Sequence, residues 1–473
     1  MDRTSKRAAL ITGALSLLAV GAWVWVIYNR NRVDADYELD LVSSAPAGLR
    51  VTANLRSDVR AFYDGRDLSP VWIDESGVTP KAIAAIAVLD QAVEHGLIPD
   101  SYSASILRQT HRELAGSNTE GSGAAAQHDA LMQFEVRLTG ALLALGHDVS
   151  VGRTSPADLD ARWQALRTPP SLPRTLAAAI NGDLSDWLTV IQPQHAQYAA
   201  LKRALTNREQ LDAAGLPDAA ATVAANMERW RWMPDTLGER YLFVNIPSYT
   251  LIAREGEQVA LTMRVVVGKP VTNQTPVLSS EISSVVFSPT WGIPTSIVAN
   301  ETVPAILKDR NYLTKQKIDA FRMTSTGLVS VDQATVASSS AAELRQLIYR
   351  QRSGNSNALG LAKFPFPNTY DVYLHDTPSD SAFLRSARAL SHGCVRLEHP
   401  EALANYLLNG DRGWTTARVD KAMHSGKQQY VKLPASIPVH LAYFTAIVDA
   451  DGKLQLFKDI YGYDRALTID ASE

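Results

Sequence analysis

Ser391-His392-Gly393-Cys394-Val395-Arg396 contains the single cysteine of this 473-residue chain, so no intramolecular disulfide can form. The thiol is therefore either buried and inert or chemically employed. An unperturbed thiol titrates near about 8.5 and is only a few per cent thiolate at neutral pH, so a nucleophilic cysteine needs a base or a field beside it. Upstream, Tyr373-Leu374-His375-Asp376-Thr377-Pro378 offers His375 as that base. Val372-Tyr373-Leu374 has β-strand character, and a strand end holds a side chain more firmly than a loop does. Gly393 lets the backbone turn tightly enough for the N–H groups of His392, Gly393 and Cys394 to converge as an oxyanion hole. Arg396 adds a fixed charge and a fork of donors suited to a substrate carboxylate or to holding the loop. Beyond it, 400–408 reads as a helix, with Pro400 at its first position and Gly410 after its end.

Taken singly, a cysteine is more often a core residue and a strand histidine more often structural. His392, Cys394 and His399, with His375, could also serve as zinc ligands. No His-Glu-x-x-His helix accompanies them, and one thiol beside a glycine turn suits acyl transfer better, so neither metal nor cofactor is expected.

Outward from this stretch, the chain changes character near residue 240. Residues 57–205 carry helical periodicity: Ile83, Ile86 and Leu89 in 80–95, then Leu131, Phe134, Leu138, Leu142 and Leu145 in 124–145. A Gly/Ser-rich connector, 116–123, separates them. A further helix over 218–233 ends in Trp230-Arg231-Trp232-Met233-Pro234, whose two indoles point to different sides, one of them packing between domains. Short β-branched and aromatic runs follow at 241–245, 250–253 and 259–267, with Glu255-Gly256 as a hairpin turn. More come at 284–287, 372–374, 439–448 and 453–457. Residues 302–361 read as helical and polar, a lid or insertion over the sheet.

At the N-terminus, 8–28 carries no formal charge and is long enough, at about 1.5 Å per residue, to span the roughly 30 Å core of a bilayer. Arg3, Lys6 and Arg7 precede it and Trp23, Trp25 and Tyr28 gather at its outer end, which predicts an uncleaved transmembrane anchor. A polar stalk, 33–56, follows. The expected class is α+β: a helical scaffold domain over 57–217, then a β-rich domain over 218–467 with a helical insertion, behind one transmembrane helix. A net charge of -3 from nearly balanced basic and acidic residues argues against nucleic acid as a partner.

The Ser-His-Gly-Cys-x-Arg string resembles the signature of the L,D-transpeptidase (YkuD) catalytic domain. Ile246-Pro247-Ser248-Tyr249, Arg264-Val265-Val266-Val267-Gly268-Lys269, Thr275-Pro276, Trp291-Gly292-Ile293-Pro294, Asn357-Ala358-Leu359-Gly360 and Lys363-Phe364-Pro365-Phe366-Pro367-Asn368 look like segments of its large, membrane-anchored branch. Phe62-Tyr63, Trp72 and His95-Gly96-Leu97-Ile98-Pro99 are similar to that branch's scaffold domain.

The resemblance implies Cys394 as nucleophile and His375 as base and then acid. It implies Ser391, His392 and Gly393 as the active-site and oxyanion loop, and Arg396, Asp376 and Tyr373 on the substrate side. It further implies peptidoglycan stem peptides as donor and acceptor, an inner-membrane anchor with the catalytic domain in the periplasm, and cell-wall synthesis proteins as partners. Attack on a stem tetrapeptide would release D-alanine and leave a thioester. An amine would resolve it to a 3-3 cross-link, water would make a carboxypeptidase, and a protein lysine an anchoring enzyme. A membrane-tethered scaffold that binds stems without turning them over is the non-enzymatic rival. Two departures stand out: too few residues separate Leu205 from Met227 for the branch's three-helix glycan-binding module, and Gly292 stands where relatives are expected to carry Asn.

Overall fold

Leu138, Leu142 and Leu145 face one side of the helix α4 (Ala124–Val151), the axis on which α1 (Ala53–Asp64), α2 (Pro80–Asp90) and α3 (Ala104–Gly116) pack in this computed structural model. The structure describes residues 53–116, 124–163, 167–411 and 413–469. The expected anchor at 8–28, most of the stalk and most of the Gly/Ser connector lie outside them; no helix among the described residues is long and apolar enough to cross a membrane. Within α4, buried Glu135 accepts N–H bonds from Val71 (2.8 Å) and Trp72 (2.6 Å) and the Tyr63 hydroxyl (2.8 Å), so a carboxylate inside the core is satisfied by three donors.

After α5 (Leu172–Asn181) and α6 (Ala196–Thr206), α7 (Ala219–Trp232) joins the two halves, and its last seven residues are all buried. Toward the helices, Glu228 accepts from the N–H of Thr154 (2.9 Å) and Arg231 donates to the His95 carbonyl (2.6 Å). Toward the sheet, Asn226 bonds Thr445 (2.8 Å) and Arg229 pairs with Asp464 (2.6 Å). The two indoles separate as their spacing demands: Trp230 stacks between His195 and Phe444, while Trp232 meets Trp163 edge-on in the sheet core.

The sheet is built from β1 (Arg240–Asn245), β2 (Thr250–Glu255), β3 (Gln258–Gly268) and β4 (Leu278–Phe287), then five strands between Ala362 and Ala442. The insertion lies between the two sets. Expected to be helical, it holds short helices at Val303–Lys308, Tyr312–Lys315, Gln333–Ser338 and Ala341–Arg345, and also the strands β6 (Ile318–Thr324), β7 (Gly327–Val331) and β8 (Ile348–Gln351), which with β5 (Trp291–Gly292) just ahead of it form a four-stranded antiparallel sheet in the order β5-β8-β6-β7. The reason is local: Ile318 and Ala320 point inward while Asp319 and Phe321 alternate outward, a period of two rather than 3.6. Its own core gathers Val303, Ile306, Leu313, Leu344 and Tyr349 around them.

The chain then returns through β9 (Ala362–Phe364), β10 (Leu374–His375), β11 (Ala389–Ser391) and β12 (Val395–Leu397), the helices α8 (Pro400–Leu408) and α9 (Thr416–Met423), and β13 (Gln429–Ala442). The strand order is β11-β3-β12-β10-β9-β4-β13-β1-β2, and β2 also pairs with β3, so the sheet closes into a ring with β11 appended. Closure removes the free edges and encloses a core of Val265, Val267, Val285, Phe364, Leu374, Val395 and Leu441.

Candidate active site

Strand registers place the sequence-singled residues on one face of the ring. Tyr430 stands beside Val286, Val286 beside Lys363, Lys363 beside His375, His375 beside Arg396, and Arg396 beside Val266, a continuous row across six strands. The adjacent row, Phe364, Leu374 and Val395, points the other way and is wholly buried in the core. Because side chains alternate along a strand, Tyr373 shares the face of His375, and Cys394 shares that of Arg396. The Val395 N–H bonds to the Tyr373 carbonyl (3.1 Å), which brings Cys394 alongside Tyr373.

His375 is buried, and its Nδ1 lies 2.5 Å from the Asp376 carbonyl. A carbonyl only accepts, so Nδ1 carries the proton and Nε2 keeps the basic lone pair. Burial, reinforced by the Arg396 and Lys363 cations, pulls the imidazole down to about 3 and keeps it neutral at physiological pH. Burial pushes the Cys394 thiol up; the Tyr373 N–H, the Lys363 charge, the Tyr373 hydroxyl and the Arg396 charge all pull the other way. The sulfur lies 3.7 Å from the Asp371 carbonyl. The resting pair is thus a neutral thiol and a neutral imidazole.

The loop that presents the thiol is braced from within. Gly393 sits at φ +118, a conformation that L side chains rarely adopt. Ser391, 1 % exposed, donates to the Cys394 carbonyl (2.5 Å) and accepts from the Gly393 N–H (3.1 Å). This corrects the expectation for Gly393: its N–H is occupied by Ser391 and does not converge with its neighbours on an oxyanion. Thr275 Oγ1 donates to the Gly393 carbonyl (2.7 Å) and accepts from Gly268 N–H (2.8 Å). The Tyr461 hydroxyl in turn accepts from Thr275 N–H (3.0 Å) and donates to the Gly268 carbonyl (2.8 Å). Sequence reading assigned no role to Thr275 and did not single out Tyr461. Residues so far apart in the chain carry no local signal of this contact.

The Asp376 carboxylate accepts from Leu361 N–H (2.7 Å) and Thr377 N–H (2.7 Å), so it clamps two backbone turns. A side chain on neighbouring Gly360 would come within 2.3 Å of it. Arg396 is partly buried, with Nε unpaired, and feels the Cys394 charge. Tyr373 lies under the Lys363 ammonium, 3.7 Å from the ring centroid. The segment that leads into the insertion reaches the loop through Glu301, whose carboxylate is 2.6 Å from His392 Nε2. At Gly292 a Cβ would meet nothing within 4 Å, so that position has room for a side chain.

The residues of the zinc alternative do not converge. His375 faces the Asp376 carbonyl, His392 faces Glu301, and His399 lies 3.7 Å from Glu398. A cleft of about 670 Å³ opens in the helical half between Asp58, Arg66, His147 and Arg174, remote in sequence from the thiol.

Comparison with known proteins agrees with this geometry. Residues 57–205 match the Scaffold domain and residues 239–419 the YkuD L,D-transpeptidase catalytic domain. A Haemophilus influenzae protein assigned by inference as an L,D-transpeptidase is 34% identical over 301 residues, covering 63% of this chain and 58% of the relative. The chain thus spans a little over half the length of that relative. Solved L,D-transpeptidases from Mycobacterium smegmatis and Mycobacterium tuberculosis are each 14% identical over 43% of this chain, covering 58% and 60% of theirs, at a TM-score of 0.21. That overlap is too slight to add to the argument. The chain carries a YkuD L,D-transpeptidase catalytic domain at residues 239–419 behind a Scaffold domain at residues 57–205.

Proposed function

We propose that this protein cross-links peptidoglycan stem peptides through an acyl-thioester on Cys394. The observation that carries the reading is the shared sheet face on which Cys394, Tyr373, His375 and Arg396 meet, with His375 tautomerised so that Nε2 is the base. His375 Nε2 takes the thiol proton as sulfur adds to the carbonyl of the third stem residue, a diamino acid. The same nitrogen returns the proton to the departing D-alanine amine, leaving the thioester. An amine of a neighbouring stem then attacks the thioester, His375 accepting its proton and handing it to the leaving sulfur, and a 3-3 cross-link results.

Since thiol and imidazole are both neutral at rest, proton transfer accompanies attack rather than preceding it. The Cys394 N–H is the backbone donor closest to the developing oxyanion, and Arg396 receives a substrate carboxylate. Residues 8–28 supply an inner-membrane anchor that holds the scaffold domain (57–217) and catalytic domain (218–467) in the periplasm, within reach of cell-wall synthesis proteins.

Intact-mass measurement after incubation with a disaccharide tetrapeptide tests this. An acyl adduct is expected on the wild type and none on Cys394→Ala. An unmodified wild-type protein would favour the non-enzymatic stem-binding scaffold. Product masses then separate a cross-linked dimer from the tripeptide that water would give and from a lipoprotein adduct.

A further inference from the structure

We propose that Lys363 supplies the fixed positive charge that sustains the Cys394 thiolate, so that the nucleophile is matched by an ammonium on β9 rather than by an imidazolium at His375. The inference rests on Cys394 being the nucleophile argued above. Lys363 pairs in register with His375 and therefore projects from the face that carries Tyr373, Cys394 and Arg396. Its ammonium is 3.7 Å from the centroid of the Tyr373 ring, and the Val395 N–H bond to the Tyr373 carbonyl (3.1 Å) sets Cys394 alongside that residue. The ammonium and the sulfur therefore flank the same tyrosine on one face of the sheet.

The groups set around Cys394 are Lys363 from β9, Tyr373 from β10 with Asp371 just ahead of it, and Arg396 from β12, with His375 on the same face beside Arg396. Just ahead of the insertion, Glu301 faces His392. Of the two cations, Lys363 acts on the thiol more strongly than Arg396 does. The negative groups that Lys363 itself faces are Cys394 and Asp371. His375 is a poor counter-ion because burial and the same two cations keep it neutral. The ammonium thus stabilises the thiolate as it forms, while the neutral imidazole takes the thiol proton during attack.

The test is the pH dependence of Cys394 alkylation by iodoacetamide, followed by mass on the full chain, with thermal melting recorded alongside. In Lys363→Met and Lys363→Gln the midpoint of the rate profile is expected to rise by about one pH unit, roughly tenfold less thiolate at neutral pH, with the alkaline plateau unchanged. Lys363→Arg retains the charge and stays near the wild-type midpoint. His375→Gln leaves the midpoint in place. If the Met and Gln midpoints coincide with wild type, or if His375→Gln raises the midpoint and they do not, the proposal is overturned. Should the Met variant melt early, Gln and Arg decide between charge and packing. Alkylation needs no peptide, so a failure of the acyl-adduct experiment and a failure of this one are read separately.

Discussion

Thr275→Val is the sharpest probe of how the Cys394 loop is held. Valine matches threonine in shape, so the substitution removes one oxygen and leaves the packing. In the folded protein that oxygen donates to the Gly393 carbonyl at 2.7 Å and accepts from the Gly268 N–H at 2.8 Å, at a residue only 1 % exposed. Both backbone groups would be left buried and unpaired, each at a cost of about 1–3 kcal/mol, so the catalytic domain should lose ~2–4 kcal/mol once the loop partly relaxes. Thr275→Ser keeps the oxygen and loses one methyl group, for ~1 kcal/mol. The measurement is a urea denaturation series on all three proteins, paired with the rate of acyl-adduct formation. Because Gly393 immediately precedes the nucleophile, a displacement of the loop by about 1 Å should slow acylation by up to ~10²-fold in the valine variant and little in the serine variant. A valine variant that denatures with the serine variant and acylates at its rate would show that Thr275 does not hold the loop.

Stability should fall in acid for a defined reason. His375, His195 and His95 are held neutral in the fold, pulled down chiefly by burial to about 3, 4 and 2, whereas the unfolded chain titrates near 6.5. Between those values only the unfolded state binds the protons, so stability is fully present above about pH 6.5 and is lost as pH falls, by up to ~1.4 kcal/mol per pH unit for each histidine. Denaturation midpoints between about pH 7 and 4 should show this slope, and His195→Gln should make it shallower. Gly393→Ala forces a side chain to φ +118 and should cost ~1–3 kcal/mol and abolish acylation, while Gly292→Asn, with nothing within 4 Å of its Cβ, should melt with the wild type. Glu301→Ala removes the 2.6 Å contact with His392; both partners are partly exposed, so the melt should move little while a bulky maleimide reaches Cys394 faster. Equal maleimide rates would mean that this contact does not restrain access.

Much of the site was legible along the chain because its chemistry is concentrated in short stretches. Cys394, Ser391, Gly393 and Arg396 fall within six residues, and the β character before His375 correctly put it at a strand end. The indoles of Trp230 and Trp232 part company as their spacing alone requires. In the insertion the helices were legible and the strands were not, because the alternation at Ile318 and Ala320 is short. The backbone clamp that Asp376 makes was not legible, because it depends on which segment lies against β10.

What the amino-acid sequence determined by itself is what depends on local geometry: the lone cysteine in its short motif, the glycine that must turn before it, the helical half and the onset of strands. Only the tertiary structure decided which strands lie side by side. Register arises from hydrogen bonds between segments remote in the chain, and it alone sets Lys363 beside His375, His375 beside Arg396, and Thr275 and Tyr461 behind Gly393. The charge that faces the sulfur is therefore a property of the closed sheet, because no alternation along one strand can specify its neighbour.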